Sequence, residues 1–145
     1  MTNEEREILL KDLCARLPYG VKCKIDGIEE PKKLIRIEVD DVDGVLLDFE
    51  SNIQVYLSEV KPYLRVLKSI TEEQKKFLKD EYEFYYDESD NEICSRYRGV
   101  MGYPLVVQQE IIDLSDFMLS NHFDGRGLIE KGIALPATED MYNQK

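Results

Sequence analysis

The spacing of apolar residues changes twice along this chain, from a period near 3.6 to a period of 2 and back again. No other feature constrains its fold as strongly. The first period buries one stripe of a helix and the second buries one face of a sheet, so the chain must pack helices on a sheet, an α+β arrangement. Leu9, Leu10, Leu13, Cys14 and Leu17 recur at helical spacing and predict a helix from Asn3 to Leu17. Thr2 followed by Glu5 is a capping box at its start, and Pro18 and Gly20 end it.

From residue 21 the pattern alternates. Val21, Cys23 and Ile25 interleave with Lys22 and Lys24, and Asp26-Gly27 breaks the run. Leu34 to Asp40 reads as a second strand with Ile35, Ile37 and Val39 on one face, followed by Val45 to Phe49. A three-residue hairpin loop, Val42-Asp43-Gly44 with Gly44 left-handed, sets Val39 against Leu47 and Ile37 against Phe49. A two-residue Asp43-Gly44 turn would instead oppose Val39 to Asp48 and mix charged with apolar residues on one face. Ile53, Val55 and Leu57 alternate with Gln54 and Tyr56, and Lys61 to Leu67 reads as a last strand holding an edge-tolerated Pro62. The expectation is a small antiparallel sheet of four or five short strands over residues 21–67, for which an SH3-like barrel is one available form.

The region 71–135 returns mostly to helix. Thr71 and Gln74 form a second capping box, opening a helix through Tyr85 with Phe77, Leu78, Tyr82 and Tyr85 on its apolar face. Asp87 to Glu92 reads as a solvated loop, and the glycines within Ile93 to Tyr103 argue against a long element there. Val107, Ile111, Leu114, Phe117 and Met118 predict a helix to Asn121, while the tail after Pro136 is expected to fray. No repeat or linker divides the chain, and 145 residues suffice for one domain burying about 68–70% of its unfolded surface.

Several chemistries lack their parts. Residues 39–50 nearly spell a calcium loop, but Val39 stands where its first carboxylate belongs and the flanks alternate like strands. His122 is the only histidine, Cys14, Cys23 and Cys94 are scattered, and no nucleophile elbow, paired cysteine motif or phosphate-cradling glycine loop is present. The residues therefore predict no catalytic site, no metal and no cofactor. His122 reads as the end of a helix, its imidazole either bonded to backbone carbonyls or complementing the negative helix terminus. No window approaches the ~18 apolar residues of a membrane span. The N-terminus is acidic where a signal peptide is basic, so the expected setting is the cytoplasm.

Charge is the most informative remainder. The formal net charge is −11, and it is partitioned: +1 over residues 1–37, −7 over 38–59, +4 over 60–79, −7 over 80–92 and −2 over 93–145. A basic stripe of Lys22, Lys24, Lys32, Lys33, Arg36, Lys61 and Arg65 could bind nucleic acid weakly, against long-range repulsion. The acidic blocks could instead imitate phosphates before a basic protein partner, or simply keep the chain solvated. Residues 80–92 set seven acids beside four aromatics. Phe84 and Tyr86 fall off the expected helical stripe, so both are expected to be at least partly exposed, the alternative being that they fold under the segment Ile93 to Tyr103. On the first reading Tyr82, Phe84, Tyr86, Asp87, Glu88 and Asp90 make a partner-binding surface. Arg126, between Gly125 and Gly127, is a further candidate for a phosphate or a carboxylate, or else an ion-pair partner of Asp124 or of an acid on the preceding helix.

Three stretches, Asp12-Leu13-Cys14-Ala15-Arg16-Leu17-Pro18-Tyr19-Gly20-Val21, Lys61-Pro62-Tyr63-Leu64-Arg65 running into Thr71-Glu72-Glu73, and Asn121-His122-Phe123-Asp124-Gly125-Arg126-Gly127-Leu128-Ile129, together resemble an uncharacterised family of small proteins. That family recurs in phages, prophages and mobile elements of Bacteroides-type gut bacteria. The resemblance spans most of the chain, weakest over residues 80–105, and departs at Gly125, where members often carry an aromatic. It implies a genomic setting and no catalytic residue. The function expected is that of a non-enzymatic, protein-interacting accessory factor, with nucleic-acid binding by the basic sheet face as the alternative.

Overall fold

The computed structural model describes residues 1–40, 44–95 and 108–142, which fall into two compact units. Unit 1 comprises Met1–Arg65 with Leu119–Lys145, and unit 2 comprises Val66–Met118. Among the described residues no helix is long and apolar enough to cross a membrane.

In unit 1, α1 (Asn3–Arg16) starts at the expected box: the Glu5 N–H donates to Thr2 Oγ1 at 3.1 Å and the Thr2 N–H to Glu5 Oε2 at 2.9 Å. Its buried face is Leu9, Asp12, Leu13 and Arg16, while Cys14, expected on the apolar stripe, is exposed. The stripe is turned because Asp12 and Arg16 neutralise each other and so can enter the core beside the leucines.

Among the described residues the strands β1 (Lys22–Ile25), β2 (Ile28–Asp40), β3 (Gly44–Phe49), β4 (Ile53–Tyr56), β5 (Val60–Leu64) and, from the C-terminal part of unit 1, β8 (Leu135–Pro136) form one sheet in the order β4-β3-β2-β1-β5-β8. Its pairings are antiparallel except β5 with β8, which is parallel, so the sheet is mixed and has six strands rather than four or five. β2 begins six residues earlier than expected because Asp26-Gly27 is a two-residue turn: Ile25 pairs with Ile28, and Gly27 supplies the required left-handed φ of +81°. Pro31 is tolerated at an irregularity in the β1–β2 register.

In the β2–β3 pairing Asp40 is opposite Gly44, Val39 opposite Val45 and Ile37 opposite Leu47, and Val42 and Asp43 of the expected loop lie outside the described residues. Each partner is two residues from the expected one, which preserves the faces because the side-chain period is two. A bulge between Leu34 and Arg36 then sends Ile35 outward, 54% exposed, and turns Leu34 into the core opposite Phe49. The core of unit 1 gathers Leu9, Leu13, Val21, Cys23, Ile25, Leu34, Leu47, Phe49, Leu57, Val60, Leu64 and Leu128.

The expected fraying after Pro136 is overturned as far as residue 142. The Ala137 N–H donates to Leu64 O at 2.7 Å, and the Tyr142 hydroxyl is bonded to both Lys22 and Tyr63. Unit 1 is also discontinuous in sequence: the Arg65 N–H donates to His122 O at 2.8 Å and the Asp124 N–H to Arg65 O at 2.9 Å, joining its two segments where residues 66–118 depart and return.

In unit 2, α2 (Glu72–Phe77) opens at the Thr71/Gln74 box. It widens into a π turn over Leu78–Tyr82 and stops at Glu83, whose φ of +58° is left-handed. The helix expected through Tyr85 therefore ends early, and β6 (Phe84–Asp87) pairs antiparallel with β7 (Glu92–Ser95). α3 (Gln108–Ser120) follows; its Phe117 is buried, but Ile111, expected on the stripe, is exposed. Expectations for Arg96 to Val107 fall outside the described residues.

Candidate functional site

The acidic aromatic segment is a hairpin. Because the chain is extended from Phe84, side chains alternate: Phe84 is 3% exposed, Tyr85 is 52% exposed and Tyr86 is half-buried. This corrects the expected exposure of Phe84, and it reverses Tyr85, which a helix would have buried. Phe84 packs with Tyr82 at a 6.0 Å ring separation, Tyr82 stands edge-on to Phe77 at 5.4 Å, and Phe77 stacks on Phe117 at 6.3 Å. Tyr82 and Phe84 therefore belong to the aromatic packing of unit 2, and the hairpin itself exposes Tyr85, part of Tyr86 and the turn acids.

That turn is ordered by its own polar groups. The Tyr86 hydroxyl donates to Asn91 Oδ1 at 2.7 Å, and Asp87 Oδ1 accepts the Ser89 N–H at 3.0 Å. Asn91 adopts the left-handed region at φ +51°, which asparagine tolerates. Glu88 and Asp90 project into solvent. Lys75 faces the hairpin: its ammonium is 3.0 Å from Glu72, 3.7 Å from Glu88 and 5.7 Å from the Tyr86 ring centre. The hydrogen bond to Glu72, with help from Glu88, holds its pKa above the ordinary lysine value. At the turn end of the hairpin, Asp87 and Glu92 are cross-strand partners, and with Cys94 they bring donor atoms within 4.8 Å of one another; Cys94 Sγ donates to Glu92 Oε1 at 3.5 Å.

Arg126 lies in unit 1, not with the hairpin. Its Nε is 3.4 Å from Asp12 Oδ1, so the acid it meets is on α1 rather than Asp124 or the preceding helix. Asp124 is used differently, accepting the N–H groups of Leu128 at 2.8 Å and Ile129 at 3.0 Å and so capping the turn that follows. Asp12 in turn holds Arg16 in a buried two-point pair, Nε to Oδ2 at 2.7 Å and Nη2 to Oδ1 at 3.2 Å, and Arg16 Nη2 also donates to Phe123 O at 2.6 Å.

His122 occupies the same corner. It is 4% exposed, has a left-handed φ of +60° and stacks on Tyr142 with ring centres 3.8 Å apart. Burial, with the charge of Arg16, lowers its pKa to about 4, opposed by a hydrogen bond with the Tyr19 backbone. Burial raises the phenol of Tyr142 and the thiol of Cys23 above their ordinary values. The histidine is therefore neutral at pH 7, and its Nδ1 has no hydrogen-bond partner.

Sequence reasoning missed this corner, although its parts were the same stretches that carried the family resemblance: Asp12, Arg16 and Tyr19 from the first, Tyr63 and Arg65 from the second, and His122, Phe123, Asp124 and Arg126 from the third. The available signal was the i,i+4 spacing of Asp12 and Arg16 on the helix face that also carries Leu9 and Leu13.

The basic sheet face is largely engaged. Lys22 Nζ donates to Met141 O, Lys24 Nζ donates to Ile28 O, Lys32 pairs with Glu30 at 3.5 Å, and Arg36 pairs with Asp48 at 2.8 Å and Glu38 at 3.5 Å. The Arg65 guanidinium lies 4.5 Å over the Phe123 ring. Lys33 and Lys61 remain exposed. Compared with protein-family models, curated proteins and solved structures, the chain matches none of them.

Proposed function

We propose that this chain is a non-enzymatic, cytoplasmic accessory protein of a phage or mobile element that binds a basic protein partner through the β6–β7 hairpin. The observation that carries the reading is the pairing of Tyr85, 52% exposed, with Glu88 and Asp90 at a turn whose backbone is held in shape before any partner arrives. A tyrosine offers large contact area at low entropy cost, and surrounding carboxylates steer a cationic surface and raise its on-rate. Acids so placed can occupy a site that a host factor otherwise offers to phosphate. The strand order β4-β3-β2-β1-β5, with a 3₁₀ turn over Leu57–Glu59 between β4 and β5, supports an SH3-like reading of the sheet, to which β8 is an addition.

The second reading, nucleic-acid binding by the sheet, is favoured by exposed Lys33 and Lys61 and weakened by the engagement of Lys22, Lys24, Lys32 and Arg36. Fluorescence anisotropy with Arg/Lys-rich peptides, acidic peptides and short DNA and RNA, at low salt and at about 0.15 M, separates the two. The expected result is selective, salt-sensitive binding of the basic peptides. Tyr85→Ser with Glu88→Lys and Asp90→Lys should weaken it at least tenfold while the protein still melts cooperatively well above the assay temperature. Nucleic-acid binding that survives the higher salt, or equal peptide affinity in the triple variant, overturns the proposal.

A further inference from the structure

The C-terminal segment of unit 1 is held to β5 by few contacts, and these converge on one ionisable ring. β8 adds a two-residue parallel pairing, Tyr63 with Leu135 and Leu64 with Pro136, and the Ala137 N–H extends it to Leu64 O. Beyond that the chain is anchored at residues 141 and 142. The Tyr142 hydroxyl lies where β1 and β5 part, just past the Cys23–Pro62 pair: it accepts the Lys22 N–H at 2.8 Å and is 2.8 Å from Tyr63 O and 3.2 Å from Lys22 O, to which it can donate. Lys22 Nζ holds Met141 O at 2.9 Å. The other face of this anchor is the Tyr142 ring, stacked on His122.

We infer that residues 135–142 form a strap over the outer edge of β5, with His122 as a latch that holds while its imidazole is neutral and lets go when the ring takes a proton. The groups around the ring decide the direction. Arg16 of α1, Lys22 of β1 and Arg65 after β5 all act on it as positive charges, and the turn after α1 contributes only the Tyr19 backbone. Of the nearby acids, Asp12 is committed to Arg16 and Arg126, and Asp124 to the Leu128 and Ile129 N–H groups. A proton on Nδ1 would make a donor with no acceptor, buried beside three cations, and the ring relieves both costs by moving into water. Leaving its place breaks the stack under Tyr142. Opening thereby bares the backbone of Tyr63 and Leu64 at the outer edge of β5.

Linkage gives the size. A ring that titrates at its ordinary value of about 6.5 when the strap is open, and lower when it is closed, makes opening about tenfold more favourable per pH unit below 6.5, until the closed form titrates too. Amide hydrogen exchange of the full chain by NMR, corrected for intrinsic rates, should show the Ala137 and Lys22 amides losing about fortyfold in protection between pH 6.5 and 4.5. The Leu34 and Asp26 amides, bonded to Val21 O and Glu59 O, serve as core references and should keep theirs. His122→Asn, a residue that tolerates φ +60°, should flatten the slope. A slope unchanged in that variant, no slope at all, or parallel loss at Leu34 and Asp26 overturns the latch. Because the chain has one histidine, its ring titration is unambiguous even if that variant fails to fold. In Tyr142→Ala the His122 pKa should rise toward the ordinary value, and a midpoint that stays depressed contradicts the strap.

Discussion

Asp12→Asn tests the corner most severely, because it keeps the volume and removes the charge that lets Arg16 lie in the core. Both side chains are almost wholly buried, at 0% and 1% exposure, and the pair is made at two points, 2.7 and 3.2 Å. Removing one partner of a buried ion pair leaves an uncompensated charge and costs about 3–5 kcal/mol. For a unit of this size a loss of 1 kcal/mol lowers the melting temperature by about 5 °C, so the expected drop is about 15–25 °C. Arg126 cannot rescue the site, since it brings a second positive charge to the same carboxylate. Asp12→Leu with Arg16→Met removes both charges together and forfeits mainly the bond to Phe123 O, worth about 1–3 kcal/mol, so the double variant should recover a large part of the loss. Calorimetry of the full chain, with NMR signals of Leu34 and Phe84 to report each unit separately, measures all three proteins. An Asp12→Asn melting temperature within a few degrees of the wild type, or a double variant less stable than the single, refutes this account of Arg16.

Three further outcomes follow from the same geometry. Since the folded His122 titrates near 4 and the unfolded one near 6.5, the unfolded chain binds the extra proton between those values. The wild type should therefore lose about 3 kcal/mol relative to His122→Asn as pH falls from 6.5 to 4, read by urea unfolding at each pH, and equal pH profiles would contradict it. Phe84→Ala should destabilise unit 2 by about 3–5 kcal/mol and Tyr85→Ala by clearly less, checked by the same melts. Asp124→Ala uncaps two N–H groups and should cost about 1–2 kcal/mol, with faster exchange confined to the Leu128 and Ile129 amides.

What local pattern could reveal was revealed. Both capping boxes, the first helix, and the inward Val21, Cys23 and Ile25 stand as expected, because each is decided by neighbours a few residues away. The sheet register was legible in parity but not in detail: each β2–β3 partner lies two residues from the expected one, and the bulge at Ile35 leaves no trace in an alternation of Leu34, Ile35 and Ile37 that suits either face. The segment after Phe77 misled for a related reason. Phe77, Leu78, Tyr82 and Tyr85 fit a helical stripe, while Tyr82, Phe84 and Tyr86 fit a strand equally well, and the left-handed turn at Glu83 decides between them. The corner was hidden because its bonds span 107 residues from Arg16 to Phe123 and 120 from Lys22 to Tyr142, far beyond any periodicity.

The backbone pairing of Arg65 with His122 and Asp124 makes residues 66–118 a parenthesis in unit 1. The chain leaves and returns at positions already hydrogen-bonded to each other, so the span between them sees a fixed and very short gap. Closing such a gap grows more costly only with the logarithm of the inserted length, about 0.6 kcal/mol for each doubling. Those bonds belong to unit 1 alone and do not depend on how many residues lie between them. A change of length between residues 66 and 118 is therefore expected to cost unit 1 little, because the ends from which that span hangs are already joined to each other.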